Sequence, residues 1–93
     1  MTKKEIFYTK LQAQIDETTS FPSDYLFKFI VLSDKNQAKE VEDLFYLKGA
    51  VITKKKSKKG KYVSVSVVIN AESSKEIISY YREAEKIKGI ISL

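Results

Sequence analysis

The chain has 93 residues, of which 43% are apolar and 31% charged, and its formal net charge at pH 7 is +5. This length allows one domain with one core, and the mixed composition excludes disorder as a description of the whole chain. The absence of cysteine and histidine excludes disulfides and removes nearly all zinc chemistry and the usual general base.

The positive charge is concentrated in one short segment, residues 54–61. Outside that segment, 11 basic residues stand against 12 acidic ones, so the rest of the chain is close to neutral. No apolar run approaches the ~20 residues of a membrane span, and no signal-peptide stretch follows the charged start. We therefore expect a cytoplasmic protein without membrane contacts. The segment contains Lys54, Lys55, Lys56, Lys58, Lys59 and Lys61.

The first 20 residues are predicted to form a helical appendage to a single domain over residues 21–93. Phe7, Leu11 and Ile15 recur at four-residue spacing, which predicts a short amphipathic helix over residues 3–17. The polar residues 18–20 end this helix, and Pro22 favours an extended chain after it.

The first strand is predicted over residues 25–32, an aromatic and aliphatic run without a turn residue. Tyr25, Phe27, Phe29 and Val31 alternate onto one side, which we assign to the core. A helix follows, with Ser33 or Asp34 as its N-cap and Gly49 as its end. Its buried stripe is predicted to contain Ala38, Val41, Leu44 and Phe45.

A hairpin of two strands is predicted next, over residues 50–57 and 62–70, with a turn at Lys58, Lys59 and Gly60. The second of these strands alternates strictly between apolar residues and others, which indicates one buried face. Ser73 and Glu76 form a capping box that opens the last helix. Gly89 ends that helix, and residues 90–93 form a final strand. The buried face of the alternating strand contains Val63, Val65, Val67 and Ile69.

The order of elements predicts an α+β fold of the ferredoxin-like βαββαβ type. Lys48-Gly49 and Lys88-Gly89 each precede an apolar strand, so each pair closes one strand–helix–strand unit. Two such units with right-handed crossovers give a four-stranded antiparallel sheet with two helices on one face. The short N-terminal helix is additional to this unit.

Two segments carry a family resemblance, residues 21–28 (FPSDYLFK) and residues 57–71 (SKKGKYVSVSVVINA). They resemble the YbeD-like family of small bacterial proteins of unknown function, over about residues 21–93. The resemblance implies a ferredoxin-like fold similar to ACT regulatory domains, with no established activity. ACT domains that bind amino acids carry an Asp-x-x-Gly turn after the first strand, and residues 33–37 here lack its glycine.

The sheet face opposite the helices is the first candidate site. It is too apolar for a purely solvated surface, and it lacks the aromatic platform on which RNA bases stack. We expect it to be covered by a protein partner, by a second copy of the chain or by the N-terminal helix. One interpretation of Lys28 is that it binds an anion or a partner. The other is that its ammonium reaches solvent while its methylene groups cover apolar surface. The predicted residues of this face are Leu26, Lys28, Ile30, Ser64, Ser66 and Val68.

The lysine-rich hairpin, residues 54–61, is the second candidate site. One interpretation is weak binding to the phosphate backbone of nucleic acid. The other is a solvated loop that guards a strand edge. Proteins that bind nucleic acid specifically normally use arginine side chains or stacking aromatic rings. The single arginine of this chain, Arg82, lies outside the hairpin.

No catalytic residue, metal ligand or cofactor site is predicted. Ser64 and Ser66 have no histidine to activate them, and the three glycines are assigned to turns and caps rather than to a phosphate-binding loop. The sequence therefore predicts a non-enzymatic regulatory or adaptor module.

Overall fold

The computed structural model describes residues 1–93 and contains three α-helices and four β-strands. Short 3₁₀ turns at Ser33–Lys35 and Tyr46–Lys48 flank the second helix. None of the three helices has the length and apolarity to span a bilayer. The elements are α1 Lys3–Thr18, β1 Ser23–Leu32, α2 Gln37–Leu44, β2 Val51–Lys56, β3 Tyr62–Ala71, α3 Ser74–Ala84 and β4 Ile91–Ser92.

The four strands form one sheet in the order β2-β3-β1-β4, and every neighbouring pair is antiparallel. The two central strands pair along their full length, from Ser23 opposite Ala71 to Leu32 opposite Tyr62. β4 pairs with β1 only at Ile91 and Ser92. The predicted ferredoxin-like fold with an added N-terminal helix is therefore confirmed.

The core lies between the sheet and the helices. Phe27, Phe29 and Val31 of β1 are buried on this side, as the alternation predicted. Phe45, which follows α2, packs with Phe27 at a ring-centroid distance of 5.2 Å, and Ile77 of α3 is fully buried. The side chains of β3 that face the helices are buried as predicted, namely Val63, Val65, Val67 and Ile69.

The helix α1 packs on α3 through a face that differs from the predicted one. Tyr8 and Ile15 are buried and Leu11 is partly buried, whereas Phe7 is 60% exposed. Positions 8, 11 and 15 follow the 3.6-residue helical repeat more closely than a strict four-residue spacing does. The prediction that Phe7 belongs to the buried stripe is therefore wrong.

The start and end of α2 also correct the sequence prediction. Ser33 is not an N-cap, because its hydroxyl donates to the backbone carbonyls of Gly60 and Lys61 in the lysine hairpin. Asn36, in the left-handed region at φ 54°, precedes the first helical residue. The α-helix ends at Leu44, and Gly49 at φ 69° ends the 3₁₀ turn that follows.

The capping box of α3 is confirmed. The Ser73 hydroxyl accepts from the Glu76 N–H at 3.1 Å. The Glu76 carboxylate accepts from the backbone N–H of Glu72 at 3.0 Å, so two free donors at the helix start are satisfied. The final strand is shorter than predicted, at two residues.

Candidate functional site

The sheet face away from the helices, here called the open face, brings the six predicted residues into direct cross-strand contact. In an antiparallel pair, residues directly opposite each other project on the same side of the sheet. The two central strands therefore contribute three rows. These rows are Leu26 with Val68, Lys28 with Ser66, and Ile30 with Ser64.

The two outer strands extend these rows with residues that the sequence prediction did not include. Val51 lies opposite Val68 and Thr53 opposite Ser66. On the other side, Ile91 lies opposite Ile30. The predicted hairpin could have placed Val51 and Thr53, because the turn fixes the register of its two strands. The two-residue β4 gives no such signal for Ile91.

The open face is apolar at one end and polar across its centre. Leu26 is 58% exposed and Val51 67% exposed, and both flank the half-buried Val68. The next row is polar, with Lys28, Ser66 and Thr53 side by side. No helix covers any of these side chains.

A concavity of about 400 Å³ lies at the far end of the open face, where β1 approaches the hairpin. The Ser64 hydroxyl on its wall donates to the Lys55 carbonyl at 3.4 Å. Its lining combines one aliphatic and one aromatic side chain with lysines and serines. The lining residues are Ile30, Lys55, Lys56, Ser57, Lys58, Tyr62 and Ser64.

The lysines of the hairpin do not form one surface. Lys54 lies opposite Val65 and therefore projects to the helix side, where its ammonium contacts the Glu42 carboxylate at 2.7 Å. The ammonium of Lys61 lies 5.5 Å from the centroid of the Tyr62 ring. The predicted cluster is thus divided. Apart from Lys61 on its aromatic ring, four members make no ion pair, namely Lys55, Lys56, Lys58 and Lys59.

A separate polar cluster joins α1 to the end of α3. The Tyr8 hydroxyl donates to the Glu85 carboxylate at 2.6 Å, which also contacts the Lys4 ammonium at 3.3 Å. The guanidinium of Arg82 lies 4.7 Å from the centroid of the Tyr8 ring. These contacts hold the added helix on the domain.

The side chains with shifted pKa values lie on the helix side of the sheet, away from the open face. Burial, reinforced by the hydrogen bond to Glu85, raises the pKa of Tyr8 to about 12. For Glu85, burial opposes ionisation, but the hydrogen bonds from Tyr8 and Lys4 outweigh it and lower the carboxyl pKa. The hydrogen bond from Lys48 to Glu76, at 3.0 Å, raises the pKa of Lys48. The shifts of Tyr8, Glu85 and Lys48 therefore arise from burial and from hydrogen bonds made where the helices pack.

The family model and the relatives found by comparison with known proteins indicate the same family. A family model described as "Protein of unknown function (DUF493)" matches residues 16–93. The UPF0250 proteins of Haemophilus influenzae strains PittEE, PittGG and 86-028NP are each 33% identical over 81 residues. Each alignment covers 84% of this chain and 88% of the relative. No solved structure gives a significant match.

The family match includes all four strands of the sheet, α2, α3 and the last residues of α1. It confirms the resemblance to YbeD-like proteins that residues 21–28 and 57–71 indicated. The chain therefore belongs to the DUF493 family, a small bacterial family of proteins of unknown function that includes the UPF0250 proteins.

Proposed function

We propose that the protein is a non-enzymatic regulatory or adaptor module that binds another protein molecule through its open face. The observation that carries this proposal is the composition of the uncovered sheet surface. Exposed Leu26, Val51 and Ile91 surround a polar row on a rigid sheet. Exposed aliphatic side chains beside polar groups on one uncovered face are typical of protein interfaces.

The environment of the two open-face serines supports a binding role over a catalytic one. Ser64 already donates its hydrogen bond to a backbone carbonyl. Ser66 is flanked by Lys28 and Thr53 in the two neighbouring strands. A nucleophilic serine needs an adjacent base that is itself held in place. The one basic neighbour, Lys28, is exposed and has no ion pair that would hold it.

The proposal is tested by placing a bulky charge at the centre of the open face. We expect Ser66→Arg to leave the unfolding transition nearly unchanged while it abolishes self-association or capture of a partner. Ser79→Arg is the matched control, because it makes the same chemical change at an exposed position of α3. Sedimentation and affinity capture from lysate, with identification of the captured protein, compare both variants with the wild type. Unchanged assembly and capture by Ser66→Arg would place the site elsewhere.

A second candidate function is weak binding to a phosphate backbone through the lysine hairpin. The observation in its favour is that Lys55, Lys56, Lys58 and Lys59 make no ion pair. It ranks second because so few charges neutralise few phosphates, and affinity of this kind falls steeply with salt.

A further inference from the structure

We infer that the partner of the open face is a protein surface with an apolar patch and acidic groups beside it, and not a second copy of this chain. This inference rests on the proposed function and names the partner of the same site. It is argued from the distribution of charge between the two layers of the domain.

The sheet layer is basic. Residues 23–32 and 51–71, which form β1, β2, β3 and the hairpin, contain seven lysines and one acidic residue. That residue, Asp24, lies at the end of the face and accepts from the Asn70 amide at 3.3 Å. Lys28 and Lys55 lie within the face by register, and Lys58 lines its concavity. None of these three lysines has an acidic partner within the chain.

The helix layer carries most of the acidic residues. Eight of the 12 lie in the three α-helices, on the opposite side of the sheet from the open face. The one ion pair between the layers uses Lys54, which projects to the helix side. The open face is therefore not neutralised by the domain itself. The eight residues are Glu5, Asp16, Glu17, Glu40, Glu42, Asp43, Glu76 and Glu83.

A symmetric dimer through the open face is disfavoured by this charge pattern. A two-fold interface places the same patch against itself, so Lys28 and Lys55 of one copy would meet the same lysines of the other. Like charges brought together and partly desolvated oppose association. Docking of the acidic helix layer of one copy onto the open face of the next is a head-to-tail contact, which gives rings or filaments and not a two-fold dimer.

A partner with an apolar patch and carboxylates beside it satisfies both parts of the face. Its apolar side chains cover Leu26, Val51 and Val68, and its carboxylates pair with Lys28 and Lys55. Opposite charge at the edge of an interface accelerates encounter and sets orientation. The binding should consequently weaken as salt is added.

The test uses two synthetic peptides of equal length and identical leucine pattern, one with glutamates and one with lysines at all other positions. Each is titrated into the protein, and backbone amide and methyl chemical shifts are followed by NMR. We expect the glutamate peptide to shift the methyl signals of Leu26, Val51, Val68 and Ile91, and the lysine peptide to leave them in place. Lys28→Glu/Lys55→Glu should weaken binding of the glutamate peptide by about tenfold or more. Lys10→Glu/Lys75→Glu, which makes the same change in net charge on exposed positions of α1 and α3, should not.

The outcomes separate this inference from the proposed function. Equal binding of both peptides to the open face would overturn the charge argument and leave the proposed function standing. A wild-type dimer or filament that Ser66→Arg abolishes would likewise overturn it in favour of a second copy. Shifts confined to residues 58–61 with either peptide would overturn both. Selective shifts on the open face that are lost only in Lys28→Glu/Lys55→Glu support the inference.

Discussion

The substitution Val65→Asp tests the assignment of the core face most directly. Val65 is 0% exposed and lies between Phe29 of β1 and Lys54 of β2 in the register of the sheet. The neighbouring lysine in the register is Lys54, whose ammonium already pairs with the Glu42 carboxylate at 2.7 Å. A carboxylate at position 65 would therefore be buried without a free partner.

Two effects contribute to the expected loss of stability. Removal of a fully buried valine side chain costs about 1.5–3 kcal/mol. An unpaired buried carboxylate costs several kcal/mol more after relaxation. A total of about 5 kcal/mol is comparable to the whole stability of many small domains. For a chain of this length it corresponds to a fall in Tm of roughly 20–40 °C.

The assay is thermal and urea unfolding followed by circular dichroism, with two controls. Val65→Ala removes the methyl groups without a charge and should cost about 2 kcal/mol. Ser66→Asp introduces the same carboxylate one residue further along, on the open face, and should change stability by less than about 1 kcal/mol. The assignment of the two faces is wrong if Val65→Asp unfolds at the same temperature and urea concentration as the wild type. It is also wrong if Ser66→Asp loses as much stability as Val65→Asp.

Three further predictions concern other parts of the molecule. Deletion of residues 1–20 should leave a domain that still unfolds cooperatively. Its free energy of unfolding should be about 2–4 kcal/mol lower, because the burial of Tyr8 and Ile15 no longer contributes. A non-cooperative melt would show that α1 completes the core. Fluorescence anisotropy with labelled single-stranded DNA should detect weak, sequence-independent binding at low salt that disappears near physiological salt, and a sequence-selective complex at physiological salt would promote the hairpin to the leading site. Between pH 10 and pH 12 the wild type should lose stability relative to Tyr8→Phe, because the unfolded tyrosine loses its proton near its ordinary pKa of 10.0 whereas the folded one keeps it to about 12. Parallel pH profiles of the two proteins in urea unfolding would contradict the contact between Tyr8 and Glu85.

The sheet and its core could be predicted because each local pattern agrees with the global fold. The alternation from Val63 to Ile69 specifies one face of β3, and the glycines at positions 49 and 89 mark the points where the chain turns into β2 and β4. The six predicted open-face residues follow from the same alternation, and the register places them in three rows.

The parts that the sequence did not predict depend on contacts between distant segments. Ser33 has the composition of an N-cap, but its hydroxyl bonds to carbonyls 27 and 28 residues away. The partners of Tyr8 are also distant, because the Glu85 carboxylate accepts from its hydroxyl and the Arg82 guanidinium lies over its ring. Lys54 leaves the lysine cluster because Glu42 of another element lies within reach. No local pattern contains this information.

The brevity of β4 has a consequence for the behaviour of the protein at high concentration. The Lys28 carbonyl accepts from the Leu93 N–H at 2.9 Å, and beyond this point β4 provides no partner for β1. The backbone groups of Asp24 and Leu26 that face this edge therefore have no neighbouring strand, because hydrogen bonding alternates along an antiparallel strand. Lysines protect the opposite edge, β2, from strand addition. Aggregation by strand addition should therefore begin at the unprotected half of β1, next to the aliphatic side chain of Leu26.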